Sequence, residues 1–271
     1  MKDIIYSSAT EIARAIREKE ISSEDAVDAH LKRIAVVNPK LNAVVWQEDG
    51  YIKRQEARKR DTDLMRGEVR GPLHGVPITI KDAFEAAGMP STGGTKGRAN
   101  YIPEKDATIV ARLKAAGAVI LGRTNTPEIS FGVECSNVVY GRTNNPWDVN
   151  RTPGGSSGGE AAIIAAGGSP FGIGSDMGGS IRWPAHCTGI AGMKPTTGRI
   201  PRTGHWPSFG GLFAYLTQPG PMAHTVEDIA LGLNIMSGPD YIDPTTVPMP
   251  LRDYKRVNLK SLRVAFHTDN G

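Results

Sequence analysis

Residues 153–182 read PGGSSGGEAAIIAAGGSPFGIGSDMGGSIR and hold the densest run of glycine in the chain. Ten of the 26 residues from Gly154 to Gly179 are glycine, with no fixed period and with apolar residues between them. A local excess of glycine in a folded chain indicates tight turns, or backbone amides that approach another group closely. We therefore expect the functional site of the protein to lie in this stretch.

Two loops in this stretch combine glycines with serines. The first covers residues 154–159, and the second covers residues 174–182 and leads into Ser180. Consecutive flexible residues can turn several N–H groups toward one point, as a developing oxyanion requires. A glycine-rich turn capped by a serine is the alternative for either loop alone. Two such loops, with Ser180 24 residues after Ser156, favour a catalytic site.

A catalytic serine also needs a base, because its hydroxyl is a weak nucleophile at its ordinary pKa. His186, His205 and His224 are candidates, although none has a carboxylate in a recognisable arrangement. Lys81 is another candidate, because it follows the apolar residues 76–80, which predict a buried strand. Burial lowers the pKa of a lysine and can leave it neutral. From spacing alone, a salt bridge from Lys81 to a nearby acid is the more common arrangement.

The segments around this stretch predict α/β organisation. A strand at 76–80, a helix capped by Asp106 and a strand at 118–122 follow one another. Pro77 indicates that the first of these strands lies at a sheet edge or begins irregularly. Prolines are also expected to end a helix at Asn38-Pro39 and to interrupt the chain at Trp183-Pro184. Further helices are predicted to begin at Ser8, at Ser22 or Ser23, and at Tyr51, Glu160 and Thr225, with strands at 42–46, 170–174 and 262–266. No repeat or linker divides the chain, so that residues 1–271 are expected to form a single domain.

Composition and charge exclude several classes of protein. The 32 Lys and Arg residues exceed the 28 Asp and Glu residues by only four, without a basic run, so we expect no nucleic-acid partner. The two cysteines, Cys135 and Cys187, form no CxxC pair, which favours a reducing compartment. The apolar start is too short for a signal peptide, and no apolar run is long enough to cross a membrane. The protein is therefore expected to be cytoplasmic.

No pattern in the sequence requires a cofactor or a metal. A GxxxxGK[ST] phosphate loop is absent, and the glycines that follow Gly172-Ile173-Gly174 miss the dinucleotide-binding pattern by one residue. The six histidines are scattered, and no Cys or His cluster has zinc spacing. The predicted chemistry therefore depends on side chains and backbone alone.

Four motifs together resemble the amidase signature family. They lie at residues 75–81, 153–160, 174–182 and 192–196, and the 75 residues from Lys81 to Ser156 also fit. Gly122–Asn125, Ser136-Asn137 and Asn145–Trp147 are similar to the branch that includes fatty acid amide hydrolases and related bacterial amidases. The resemblance runs from about Ser8 to the end. It implies an amidase signature fold, in which α-helices cover a twisted mixed β-sheet.

The resemblance also implies a Ser-Ser-Lys triad. Ser180 would be the nucleophile that forms the acyl-enzyme, and Lys81, neutral at rest, would be the base. Ser156, which follows a cis peptide bond in the family, would carry the proton between them and later to the leaving amine. Substrate-facing and supporting roles fall on further residues: Met177, Gly178, Gly179 and Ser180 for the N–H groups of the oxyanion hole, Phe131 for the acyl pocket, and Ser157, Ser175, Asp176 and Arg182 for hydrogen bonds that hold the loops.

The implied function is hydrolysis of a small linear carboxylic acid amide to an acid and an amine or ammonia, without a cofactor. Family members normally continue well beyond Gly271, so the C-terminal part of the fold is expected to be missing. That segment or a second copy of the chain is the expected macromolecular partner. The alternatives are a glutamine amidotransferase subunit of the same family, and an inactive truncated scaffold or anion-binding module. An α/β-hydrolase is disfavoured, because no strand precedes the GxSxG match at 154–158.

Overall fold

A mixed β-sheet lies at the centre of the computed structural model, which describes residues 3–208, 210–265 and 268. Within these residues the sheet has six strands in the order β1-β3-β2-β6-β8-β7, and β4 pairs with β5 in a separate hairpin. In chain order the strands are β1 (Val44–Gln47), β2 (Pro77–Lys81), β3 (Val119–Thr124), β4 (Ser136–Asn137), β5 (Gly141–Arg142), β6 (Phe171–Asp176), β7 (Ala191–Gly192) and β8 (Gln218–Ala223). β2 runs parallel to β3 and β6, whereas β1 and β8 pair antiparallel with their neighbours.

Helices cover both faces of this sheet. In chain order they are α1 (Ala9–Arg17), α2 (Ser23–Leu41), α3 (Gly50–Met65), α4 (Thr108–Ala115), α5 (Gly158–Ala165), α6 (Arg182–Thr188), α7 (Gly211–Leu216) and α8 (Val226–Met236). Short 3-10 helices lie at Ile4–Tyr6, Lys96–Arg98, Glu128–Ser130, Tyr254–Arg256 and Leu259–Ser261. No helix in the described part of the chain is long and apolar enough to span a membrane.

The alternation of side chains along β3 explains how two layers of helices form. Ile120 points into a core with α1, α4 and α8, while Val119 and Leu121 point into a second core with α2, α3 and α5. Successive side chains of a strand face opposite sides of the sheet, so a strand that is apolar at every position can bury both faces. The predicted α/β fold, with a mixed sheet covered by helices, is confirmed.

Pro77 begins its strand but does not place it at an edge. β2 lies between β3 and β6, so the predicted edge position is wrong and the predicted irregular start is correct. Pro77 is the first residue of β2, where its missing N–H does not interrupt the ladder. The register with β3 shifts between Ile78 and Thr79.

Two further predictions from proline are wrong. α2 continues through Pro39 to the buried Leu41 and ends where Asn42 donates its N–H to Asn38 O. Pro184 lies in the first turn of α6, where an N–H has no acceptor within the helix, so proline removes no bond there.

Two predicted boundaries also differ from the structure. The helix expected to begin at Asp106 begins at Thr108, and the Asp106 carboxylate instead accepts from Ala87 N–H and the Lys114 ammonium. Of the strand predicted at 262–266, residues 262–265 adopt no strand conformation, and Phe266 lies outside the described residues.

Candidate active site

Lys81 is the last residue of β2 and is completely buried at the centre of the sheet. Its Nζ lies 2.6 Å from Ser156 Oγ and 3.1 Å from Ser175 Oγ. These serines come from the two glycine-rich loops, 75 and 94 residues further along the chain. The fold therefore joins the lysine to both loops by direct hydrogen bonds.

Burial governs the protonation of Lys81. It lowers the pKa of the ammonium from 10.5 to about 7, although Cys135, Asp176 and Glu160 act in the opposite direction. An amine that is neutral near pH 7 and is hydrogen-bonded to a hydroxyl can accept the proton of that hydroxyl. The arrangement of Lys81 and Ser156 thus has the geometry and the proton affinity of a general base and its first proton donor.

The first loop reaches Lys81 through a sharp change of chain direction. Gly154 has φ +82°, and the Gly155–Ser156 peptide bond is cis, as the resemblance implies. A Cβ on Gly155 would lie 2.8 Å from Gly132 O, so the loop passes too close to the chain at 132–134 for a side chain. Ser157 then precedes α5.

Ser157 connects the first loop to the second. Its N–H donates to Ser180 O at 3.1 Å, and its hydroxyl accepts from Ser175 N–H at 3.3 Å. The two serine loops are therefore fixed to each other by main-chain contacts, as well as through the Lys81 side chain.

Asp176 organises the turn between β6 and α6. Its carboxylate accepts from the N–H groups of Gly179, Ile181 and Arg182, and from Nε and Nη2 of the Arg182 side chain, both at 2.9 Å. Burial raises the pKa of Asp176, but the hydrogen bonds from Arg182 and the backbone lower it more, so its pKa lies below the usual value. A charged carboxylate thus holds the backbone on both sides of Ser180.

Ser180 and its neighbours present unbonded groups. Ser180 is partly exposed, and within the described residues its hydroxyl makes no hydrogen bond. The N–H groups of Met177, Gly178 and Ser180 have no acceptor in the same part of the chain. The Gly179 N–H differs from the expectation for the oxyanion hole, because it donates to Asp176 Oδ1 at 2.7 Å. Three backbone donors remain available beside Ser180.

Phe131 lies on the exposed side of the first loop. Its side chain is 68 % exposed, directly after the short helix Glu128–Ser130. The next residues approach Gly155, and Val133 O accepts from the indole N–H of Trp183 at 3.2 Å. The structure therefore places the segment that follows Phe131 against both loops, while Phe131 itself faces solvent.

Two buried groups near Lys81 had no assigned role in the sequence. Glu160 accepts hydrogen bonds from the hydroxyls of Thr79 and Thr124, and burial raises the pKa of its carboxyl. His205 Nε2 lies 2.8 Å from Ser175 Oγ. The sequence names His205 only as one of three histidines, because a separation of 30 residues from Ser175 follows no pattern. Its position results from the loop that returns beside β2.

A metal site is not formed by the residues that the structure describes. Over those ranges, no group of three or more His, Cys, Asp or Glu side chains is arranged to hold an ion. The site consists of a lysine, three serines, a histidine and backbone amides.

Comparisons with known proteins agree with this site and fold. The family model described as Amidase matches residues 25–271. The chain belongs to the amidase signature family, as its motifs predicted.

Its relatives include both hydrolases and amidotransferase subunits. The indoleacetamide hydrolase of Bradyrhizobium diazoefficiens is 45 % identical over 246 residues, which cover 90 % of this chain and 47 % of the relative. A glutamyl-tRNA(Gln) amidotransferase subunit of Acidothermus cellulolyticus is 45 % identical over 257 residues, which cover 93 % and 49 %. The chain thus spans about half the length of these relatives.

Solved structures of amidases share the fold. The native peptide amidase from Stenotrophomonas maltophilia superimposes with a TM-score of 0.84 at 35 % identity, covering 91 % of this chain and 51 % of that one. A fatty acid amide hydrolase superimposes with a TM-score of 0.83 at 34 % identity, covering 92 % and 44 %.

Proposed function

We propose that this chain hydrolyses carboxylic acid amides through an acyl-enzyme on Ser180, with Ser156 as proton relay and Lys81 as base. The observation that carries the proposal is the 2.6 Å contact between Ser156 Oγ and the Nζ of a completely buried lysine. A lysine in that position loses its proton near neutral pH and can then activate a serine.

The first half of the reaction forms the acyl-enzyme. Neutral Lys81 takes the proton of Ser156 while Ser156 takes the proton of Ser180, and the Ser180 oxygen attacks the amide carbonyl. The oxyanion of the tetrahedral intermediate accepts from the free N–H groups of Met177, Gly178 and Ser180, each typically worth roughly 3 kcal/mol in such sites. The intermediate collapses as Lys81 returns the proton through Ser156 to the leaving nitrogen.

Water completes the cycle. It attacks the Ser180 ester and gives a proton through Ser156 to Lys81, and that proton returns to Ser180 Oγ as the acid leaves. One lysine and one relaying serine thus serve both halves. An amide leaving group requires this relay more than an ester does, because an amine leaves poorly without a proton.

A second candidate function uses the same site. The 45 % identity to an amidotransferase subunit supports a role in which the amide is that of glutamine and the ammonia passes to a substrate held by a partner. Release of ammonia from glutamine, compared with release of an amine from a small linear amide such as an anilide, distinguishes the two functions.

Labelling with a fluorophosphonate probe tests the shared chemistry. The probe should form one adduct on the purified 271-residue chain, and peptide mapping should place it on Ser180. Ser180→Ala should remove the adduct, and Lys81→Ala should slow labelling by at least about 100-fold, the usual contribution of a general base. Ser261→Ala and Lys40→Ala, both on the surface, serve as matched controls and should label like the parent. An adduct on Ser156, or none on the parent chain, would overturn the proposal.

A further inference from the structure

A chain of buried hydrogen bonds continues behind Lys81, away from Ser156. Lys81 Nζ lies 3.1 Å from Ser175 Oγ, which lies 2.8 Å from His205 Nε2. The other ring nitrogen of His205, Nδ1, lies 3.0 Å from Pro207 O. The Lys81, Ser175 and His205 side chains are all buried, so solvent does not compete for these bonds.

The carbonyl of Pro207 sets the direction of every bond in this chain. A carbonyl oxygen only accepts, so His205 carries its proton on Nδ1 and leaves the lone pair of Nε2 free. The Ser175 hydroxyl must then donate to Nε2, and its oxygen offers only lone pairs to Lys81. The Lys81 amine consequently donates an N–H to Ser175, and its own lone pair remains available for Ser156.

The protonation of His205 agrees with this arrangement. Burial and the nearby Lys81 lower the pKa of the imidazole to about 3, so the ring is neutral when Lys81 is neutral. A cationic ring would donate from both nitrogens and would turn the Ser175 hydroxyl toward the lone pair of Lys81.

Main-chain contacts hold the His205 loop against the segment that follows β2. Trp206 N–H donates to Ala83 O at 2.7 Å, and Glu85 N–H donates to Gly204 O at 2.8 Å. The Phe84 ring packs edge-on against the imidazole, with ring centres 5.1 Å apart. The position of His205 relative to Lys81 is therefore fixed by the backbone.

We propose that His205 is a positioning residue which, by accepting a hydrogen bond from Ser175, directs the lone pair of Lys81 toward Ser156. This inference rests on the proposed function, since it assigns a role to the base of that reaction. It adds a residue outside the Ser-Ser-Lys set. Without the acceptor at position 205, the Ser175 hydroxyl is free to donate to Lys81 and compete with Ser156.

A double-mutant cycle tests this role. The second-order rate constant for fluorophosphonate labelling of Ser180 is measured for the parent, His205→Leu, Ser175→Ala and the double variant. We expect His205→Leu to slow labelling about tenfold in the parent and less than about twofold in the Ser175→Ala background, since the two residues act through one interaction. An equal loss in both backgrounds would show that His205 only supports the fold, and would overturn the inference.

Two amide variants keep the test decisive if His205→Leu does not fold. Glutamine is long enough to place an acceptor near the position of Nε2, whereas asparagine is too short to reach Ser175. His205→Gln should therefore label within about threefold of the parent, and His205→Asn about tenfold more slowly. Equal rates for these two variants would contradict the role of the acceptor. Absence of a Ser180 adduct on the parent chain would instead overturn the proposed function.

Discussion

At the scale of single residues, burial of Lys81 determines the chemistry of the site. A charged ammonium with no exposure to water is costly, and Glu160 and Asp176 offset this cost only in part, so that the amine loses its proton near pH 7. The same burial that makes Lys81 a base therefore makes it unfavourable for stability. Functional sites commonly carry such a trade-off.

Replacement of Lys81 by methionine should reveal this cost. The pKa change from 10.5 to about 7 corresponds to roughly 5 kcal/mol of unfavourable burial, against about 1 kcal/mol for each hydrogen bond that is lost. Lys81→Met should therefore unfold with a free energy larger than that of the parent at pH 7. Between pH 7 and 10.5 the unfolded lysine binds a proton that the native one does not, so the parent gains stability with rising pH and the advantage of the variant shrinks.

Urea unfolding of both proteins at about pH 7, 8.5 and 10 measures this difference. Lys40→Met, on the surface, is the control, and its difference from the parent should stay constant over the same range. A difference between Lys81→Met and the parent that also stays constant would contradict a neutral buried lysine.

Some of this residue-level detail could be predicted from the sequence. Lys81 directly follows four apolar or β-branched residues of a buried strand, so its burial followed from local pattern. The acceptance of the Gly179 N–H by Asp176 and the contact of His205 with Ser175 did not, because they depend on turns whose geometry the side-chain pattern does not specify.

At the scale of elements, α5 brings the first loop to the sheet because its N-terminus has no side chains. A Cβ on Gly159 would lie 2.4 Å from Asn125 N and 2.8 Å from Ala43 O. These are backbone atoms at the ends of β3 and β1, which cannot move without moving the sheet. Gly159 thus sets the distance between α5 and the strands, and with it the position of Ser156.

Gly159→Ala should displace α5 and the loop that precedes it. We expect a loss of about 1–3 kcal/mol in the free energy of unfolding, typical of overpacking, together with slower labelling of Ser180. Gly97→Ala is the matched control, since a Cβ there meets only Thr95 Oγ1 at 4.0 Å, and it should change stability by less than about 0.5 kcal/mol. Similar stability of the two variants would contradict the close approach at Gly159.

The elements themselves were predictable where apolar periodicity was strong. α1, with its capping box at Ser8, and α8, capped by Thr225, begin where the sequence indicated. β8 was missed, because Pro219 and Pro221 argue against a strand inside a sheet. Pro221 O accepts from Met193 N–H, so both prolines face the side of the short β7, and their missing N–H groups remove no bond to β6.

At the scale of the whole molecule, Asp228 joins the beginning of the described chain to α8. Its buried carboxylate accepts from the N–H groups of Ala9 and Thr10 at 2.9 and 2.8 Å, and from the Thr10 hydroxyl at 2.7 Å. These contacts span about 219 residues of sequence. We propose on this basis that residues 1–271 unfold as a single domain.

Asp228→Ala should destabilise the molecule as a whole. It leaves the first N–H groups of α1 without their acceptor, so we expect a loss of about 2–4 kcal/mol and one cooperative unfolding transition at lower temperature. Thermal unfolding followed by circular dichroism measures both quantities. Asp253→Ala, which removes an exposed carboxylate, is the control. Two separate transitions in the parent would contradict a single domain.

The pH dependence of Ser180 acylation tests most directly the claim that buried Lys81 is the base. Below its pKa of about 7 the lysine carries a proton and has no lone pair for Ser156. The rate of fluorophosphonate labelling should therefore fall about tenfold per pH unit below that value and level off above it. A rate that does not change between about pH 6 and 10, or a midpoint near 10.5 as for an exposed lysine, would contradict the assignment.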